Sequence, residues 1–246
     1  MAKVNITLPV YNEESTLEKS VDKLLLFLKE TKFPFEFEIV IADNASKDRT
    51  QEIGEHLEEI HPNVVYKRID RKGRGYALKR VWNDSDCDVC SFMDIDLSTD
   101  LVFFRPLIDA IVFAHAAVAT GSRLEATSQV IGRSPKREFL SRSYNRLIKL
   151  LFWPPFKDAQ CGFKAVNTSH FKSISHLIQN NNWFFDTELM LLTQQTQRPI
   201  VSIPVIWRDD CTTTVKLGPT IREDLMGLFR LRWLFFFTNI NKAVRH

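Results

Sequence analysis

The stretch SFMDIDLSTD, residues 91–100, runs an apolar segment into two aspartates one residue apart. In an extended chain residues i and i+2 point the same way, so the carboxylates of Asp94 and Asp96 can face one site just past a strand. Two close anions repel unless a cation or a set of donors compensates them. A hard divalent ion bound to a diphosphate meets that need, because magnesium favours one or two carboxylates together with phosphate oxygens. A bare DxD reads equally as an acidic loop capping the helix expected near Leu101, so its position in the fold decides between the two.

Three other stretches carry chemistry-bearing residues. In ADNASKDRT, residues 42–50, Asp43 closes an apolar run where it can accept hydrogen bonds from a nucleobase imide or a ribose. Ser46 and Asp48 are expected to cap the helix that follows. RKGRGYAL, residues 71–78, sets two glycines and three cations before a helix. Backbone N–H groups and the helix dipole attract phosphates there, although the Walker pattern GxxxxGK[ST] is absent and a flexible basic turn has the same composition. FFDTELML, residues 184–191, offers Asp186 and Glu188, either as bases for a hydroxyl nucleophile or as first-turn acids of a helix.

These residues need a frame, and the first half of the chain supplies one. Apolar runs of strand length (4–10, 37–43, 64–69, 89–94 and 115–121) alternate with amphipathic stretches at 17–28, 47–60, 75–82 and 101–113. That β-α-β-α order predicts an α/β domain with a mostly parallel sheet and helices on both faces. In such sheets ligands sit outside the carboxyl ends of the strands. The second half is less regular: helices are expected over 139–152 and 184–195, and strands over 161–167 and 200–207. Pro204 within the last of these predicts a sheet edge.

Composition narrows the function classes. The 246 residues are 44% hydrophobic with a net charge of +3, which fits one sizeable globular domain and argues against a general nucleic-acid binder. Cys87, Cys90, Cys161 and Cys211 include one CxxC pair without a second pair or histidines at ligand spacing, so free thiols are expected. The amino terminus lacks a secretory h-region, making synthesis for the cytosol the default, and no apolar run is long enough to span a bilayer.

The order LPVYNEE, ADNASKDRT, RKGRGYAL, MDIDLS, TGSR, SPKREFLSR, DAQCGFKAV, FFDTELML, IPVIW resembles family 2 glycosyltransferases of the Rossmann-like GT-A fold, over about residues 4–208. GSR, KRxxxSRxxN and DAQCGFK are closest to the branch that loads glucose or mannose onto a polyprenyl or dolichyl phosphate. This resemblance implies a catalytic domain over 1–208, with a smaller antiparallel acceptor-side portion in its sheet. It implies that Pro9, Tyr11, Glu13 and Asp43 surround the base and ribose of a UDP- or GDP-hexose, with Arg71 and Arg74 near its phosphates. Asp94 and Asp96 would bind Mg2+ or Mn2+ and the diphosphate. Arg123, Arg137 and Ser141 would hold the acceptor phosphate, Gln160 and Gly162 would line the sugar and acceptor pocket, and Asp96, Arg123, Arg137 and Glu188 would carry the inverting reaction. Taken singly, Arg137 also reads as a solvated helix residue, Gly162 as a close backbone approach, and Glu188 as an orienting group for an acceptor-side helix. Where mannose-phosphate synthases often continue DxD with Leu-Gln, this chain has Leu97-Ser98, which resembles the glucose-phosphate branch and leaves the third protein ligand open.

The segment 209–246 places Ile221, Leu225, Leu228, Phe229, Trp233, Phe236 and Ile240 on one helical side, with Arg222, Arg230, Arg232, Lys242 and Arg245 around it. Such a helix can lie in a membrane interface on the cytoplasmic face, or pack on the sheet or a second subunit. Two rival readings remain: a family 2 transferase with a saccharide hydroxyl acceptor, using Asp186 or Glu188 as base, and a silent nucleotide-sugar or membrane-binding module.

Overall fold

The computed structural model describes residues 2–209, 217–238 and 240; Cys211, Lys242 and Arg245 lie outside them. The alternation read from the sequence becomes strands β1 (Lys3–Val10), β2 (Glu36–Asp43), β3 (Val64–Arg68) and β4 (Val89–Met93), joined by helices α1 (Leu17–Glu30), α2 (Thr50–Ile60) and α3 (Arg74–Asp84). After α4 (Phe104–Val112) come β5 (Val118–Ser122), β6 (Gln129–Ile131), α5 (Pro135–Phe152), β7 (Phe163–Asn167), α6 (Thr168–Ile174), α7 (Phe185–Gln195), β8 (Ile200–Pro204), β9 (Ile206–Arg208) and α8 (Leu217–Phe237). Seven strands form one sheet in the order β3-β2-β1-β4-β7-β5-β8. All neighbouring pairs are parallel except those made by β7, which runs against both β4 and β5.

β-branched and aromatic residues make these strands, and both faces are covered, so they read as continuous apolar runs. One face packs Ile6, Leu8, Ile39 and Ile41 against Leu17, Val21 and Leu24 of α1 and Phe104 and Leu107 of α4. The other packs Val40, Phe92 and Val166 against Trp82 of α3, Phe171 of α6, and Leu189 and Leu192 of α7. Cys87 and Cys90 border and enter β4 as buried free thiols, as does Cys161 ahead of β7.

Several boundaries shift from the sequence expectation, each for a local reason. Ser134 accepts a hydrogen bond from the Arg137 amide and Pro135 stands at the helix start, so α5 begins four residues before Phe139. Ser46 instead accepts from the Asn12 amide, tying two loops together, while Asp48 accepts from the Thr50 amide and hydroxyl at the start of α2. The run 200–207 is two strands, because the chain turns at Pro204, on the edge strand β8, and β9 leaves to pair in parallel with β6. The antiparallel feature is thus β7 inside the main sheet, and the two-stranded sheet is parallel.

Helix α8 also differs from the single stripe expected. Asp224, Leu228 and Leu231 turn toward the body and are buried, as is Ile240, while Leu225, Phe229, Trp233 and Phe236 face outward. Gly227 lets the helix close on α7's start: a Cβ there would lie 2.4 Å from the Phe184 ring.

Candidate active site

Sheet topology assembles the site. The register pairs Val10 with Asp43 and Asp43 with Arg68, so the carboxyl ends of β1, β2 and β3 share one edge. β4 ends there too, at Met93. Because β7 is antiparallel it starts where β4 finishes, Met93 opposite Phe163, which brings Gln160, Cys161 and Gly162 to the same edge. The loops leaving β1, β2 and β4 hold Asn12, Ala45 and Leu97 in the left-handed region, a strain of the kind stored where side chains must be aimed.

Asp43 is fully buried and almost saturated. Its Oδ1 accepts from the Ser46 amide at 2.9 Å, and its Oδ2 accepts from the Tyr66 hydroxyl at 2.5 Å and the Arg68 guanidinium at 3.0 Å. Burial, then Asp43 itself, pushes the Tyr66 phenol well above its ordinary range. The Tyr66 ring fits only because residue 54 is glycine, where a Cβ would come within 2.3 Å of it. Pro9 lies opposite Ala42 near the end of β1, whereas Tyr11 carries the Lys72 ammonium 3.5 Å above its ring. Glu13 begins the turn into α1, its carbonyl accepting from the Thr16 and Leu17 amides.

The RKGRGYAL turn is anchored on both sides. The Gly73 amide donates to Asn44 Oδ1 at 2.6 Å and the Tyr76 amide to the Asn181 carbonyl at 2.9 Å. Arg74 is buried between Phe92 and Trp183, whose rings lie 4.5 and 5.0 Å from its guanidinium. It donates to Asp94 Oδ1 at 3.0 Å and to Asp186 Oδ2 at 2.7 Å. Burial opposes its charge, but Asp186 and Asp94 outweigh that and raise its pKa. Arg71 stays outside, over the Tyr76 ring.

Past the end of β4, the exposed Asp96 accepts from the Ser98 amide with Oδ1 at 2.9 Å. Burial, with Asp96 and Asp186 nearby, pushes the Asp94 carboxyl up despite the pull of Arg74. Gly162 explains how Asp94 fits: a Cβ there would lie 1.7 Å from Asp94 Oδ2, and the Gly162 carbonyl accepts from the Asp94 amide at 3.1 Å. A small crevice lined by Asp94, Ser98, Thr99, Gly162 and Trp207 opens beside them, and the Ser98 hydroxyl, buried, finds no partner. Among the described residues no three His, Cys, Asp or Glu side chains are arranged to hold an ion alone. Two carboxylates and an orphaned hydroxyl therefore fit a hard divalent cation that takes its remaining ligands from phosphate oxygens.

The predicted acceptor arginines each have a carboxylate partner that sequence reasoning missed. Arg123 makes a bidentate pair with Asp158, at 2.7 and 2.9 Å, and both are buried. Burial works against Asp158's charge, yet Arg123 pulls its pKa down to about 2. Arg137 Nη1 reaches both oxygens of Asp209, at 2.5 and 2.6 Å. Arg123 and Arg133 both lie over the Trp207 ring, 5.5 and 5.4 Å from its centroid. Ser141 is one helical turn further along α5, its carbonyl accepting from Asn145. Gln160 Nε2 donates to Asp224 Oδ2 at 3.0 Å. Asp224 Oδ1 is buried without a partner, and burial, with Glu223 and Asp186, pushes this carboxyl up to about 7.

The two acids of α7 are both engaged. Asp186 pairs with Arg74 and lies 3.6 Å from the buried Lys164 ammonium. Glu188 is fully buried, accepting from the Gln179 and Asn180 amides at 3.1 and 2.8 Å and from the Arg230 guanidinium of α8. Asp158 opens the DAQCGFK motif, but its pairing carried no sequence signal, and neither did Asp209 or Asp224, since partners 35, 72 and 64 positions away are brought in only by the fold.

Comparison with known proteins fits this geometry. The chain is 33% identical over 228 residues to glycosyltransferase AglD of Haloferax volcanii, covering 92% of this chain and 36% of that protein. It is 29% identical over 224 residues to the dolichyl-phosphate beta-glucosyltransferase of Saccharomyces cerevisiae, covering 84% and 67%. The chain therefore spans about a third of the first relative's length and two thirds of the second's. A crystal structure of glucosyl-3-phosphoglycerate synthase from Mycobacterium tuberculosis with Mn2+ and uridine-diphosphate-glucose superposes with a TM-score of 0.66 at 16% identity, over 94% of this chain and 79% of that one. The family model for glycosyl transferase family 2 matches residues 6–175, and it is to this family that the chain belongs.

Proposed function

We propose that the chain transfers glucose from UDP-glucose to a polyprenyl phosphate at a membrane surface, with inversion at the anomeric carbon. The yeast relative's name supports the sugar and the lipid, and the mycobacterial complex supports the nucleotide and a divalent metal. The observation that carries the choice of acceptor is the state of the α7 acids. Asp186 is ion-paired to Arg74 and Glu188 to Arg230, both carboxylates buried, which favours an acceptor that needs no base, and Arg123 lies close enough to Asp94 to feel its charge.

A phosphate acceptor removes the need for a base, because its second pKa lies near 6. An acceptor oxygen attacks the sugar C1 from the face opposite the diphosphate; the new C1–O bond forms as the bond to UDP breaks, and UDP leaves with the electron pair. Pro9, Tyr11 and Glu13 would flank the base and ribose, with Asp43, its carboxylate held by Tyr66, Arg68 and the Ser46 amide, fixing the loop beside them, and Asp94 and Asp96 would hold the metal. When bound, that ion supplies neutralisation of charge on the departing diphosphate. Arg123, Arg137 and Ser141 would position the acceptor, the two guanidiniums keeping their carboxylate partners and meeting phosphate oxygens with their remaining N–H groups, and Gln160 and Gly162 would bound the sugar.

The 209–246 segment completes the reading as a peripheral anchor. Leu225, Phe229, Trp233 and Phe236 on α8 lie outward, as do Leu150 and Trp153 at the end of α5. Arg222, Arg232, Arg142, Arg146 and Lys149 lie exposed on the same two helices. Apolar side chains at the acyl boundary with arginines at anionic headgroups suit a cytoplasmic membrane face. No helix among the described residues is long and apolar enough to cross a membrane.

The test is incubation with UDP-glucose, GDP-mannose, a short polyprenyl phosphate and a panel of saccharide acceptors in Mn2+ or Mg2+, with products identified by mass. A glucosyl phospholipid is expected; a glycosylated saccharide with no glycosyl phospholipid would overturn the proposal.

A further inference from the structure

The turn that carries Gly73 and Arg74 rests on segment 179–182, and that segment is held from its far side by α8. A Cβ on Gly73 would lie 2.5 Å from the Asn181 carbonyl and one on Gly75 2.9 Å from the Asn182 carbonyl, so the two backbones are in direct contact. The Tyr76 amide donates to that same Asn181 carbonyl. On the other side, Glu188 takes the Gln179 and Asn180 amides and the Arg230 guanidinium, while Glu223 Oε1 accepts from Asn180 Nδ2 at 2.6 Å and Asn182 Nδ2 at 2.9 Å.

Apolar packing of α8 lies to one side of these links, where Gly227 closes on Phe184 and Leu228 and Leu231 join the core. A groove of about 780 Å3 separates the segment from the first half of α8, lined by Gln179, Asn180, Arg222, Glu223, Met226 and Arg230. Segment 179–182 thus meets the helix through direct polar bridges at the edge of an open groove. Removing one partner of the Glu188–Arg230 pair leaves the other uncompensated, a strongly destabilising change for a buried carboxylate.

We propose that Glu188 is a positioning residue that, with Arg230 and Glu223, makes the seating of the Gly73–Arg74 turn depend on α8. This rests on the reading above in placing the nucleotide sugar at that turn. Helix and donor site then share one coupling free energy, felt equally from either end.

The experiment compares full-length wild type with Arg230→Ala, Glu188→Gln and Arg230→Lys, well below their unfolding temperatures. It measures amide hydrogen exchange and steady-state kinetics with varied UDP-glucose. Arg230→Ala and Glu188→Gln should speed exchange at the Gly73 and Tyr76 amides and raise the donor KM about fivefold or more, with kcat changed far less. Arg230→Lys, keeping the charge, should restore much of both. Faster exchange confined to α7 and α8, with Gly73 and Tyr76 unchanged, would overturn the inference. Faster exchange at the turn with an unchanged donor KM would uphold the link and remove the donor from that turn, overturning the reading of the site instead.

Discussion

Single carboxylates around the cleft are distinguished by what each is given to pair with. Asp158 has a full partner in Arg123, and its stabilising contribution is present above the ordinary 3.8 and fades only as pH falls through about 2. Asp158→Asn should cost about 3–5 kcal/mol in denaturant unfolding, because it strands a buried guanidinium. Asp224 is the opposite case: with its pKa raised to about 7, its charged form is disfavoured in the fold, so stability declines as pH rises from 3.8 toward 7. Asp224→Asn should therefore stabilise the protein by about 1–3 kcal/mol near pH 8, with the difference vanishing near pH 4, as read by thermal melts at both. At the acidic pair, Asp96→Ala should lower transfer by about a hundredfold or more while leaving the melting temperature close to wild type.

Among the elements, the short antiparallel β7 decides whether the acidic pair is usable, since it delivers Gly162 against Asp94. Gly162→Ala should displace the Asp94 carboxylate and cost about a hundredfold in turnover, measured by UDP release, with modest change in stability. The strands that position the site were legible because they are apolar runs punctuated by Asp43 and Asp94, and because helices separate them at regular spacing. β6 escaped notice, being only three residues long, and so did α6, whose seven residues hold too few turns for a period to show. The orientation of β7 was likewise hidden, as periodicity carries no direction. The motif residues were legible by type and order, but their pairings were not: Asp158, itself in the DAQCGFK motif, Asp209 and Arg230 acquire roles only through contacts across long stretches of chain.

For the whole molecule, the division of α8 into a body-facing and an outward side sets how the protein meets a surface. Phe229, Trp233 and Phe236 are 72, 62 and 74% exposed, far more than the burial of Leu228 and Leu231 would lead one to expect on a helix packed only to the body. Phe229→Ser and Trp233→Ser should each weaken binding to anionic vesicles about tenfold or more, in co-sedimentation, while UDP-glucose hydrolysis in solution is retained. The two guanidiniums over Trp207 and the one over Trp183 have a different consequence. Each indole sits against a cation whose partners would change on binding, Arg74 on the donor side and Arg123 on the acceptor side. Of the protein's five tryptophans, these two thus report on one half of the site each: Trp183→Phe should silence the emission change on adding nucleotide, and Trp207→Phe the change on adding lipid phosphate.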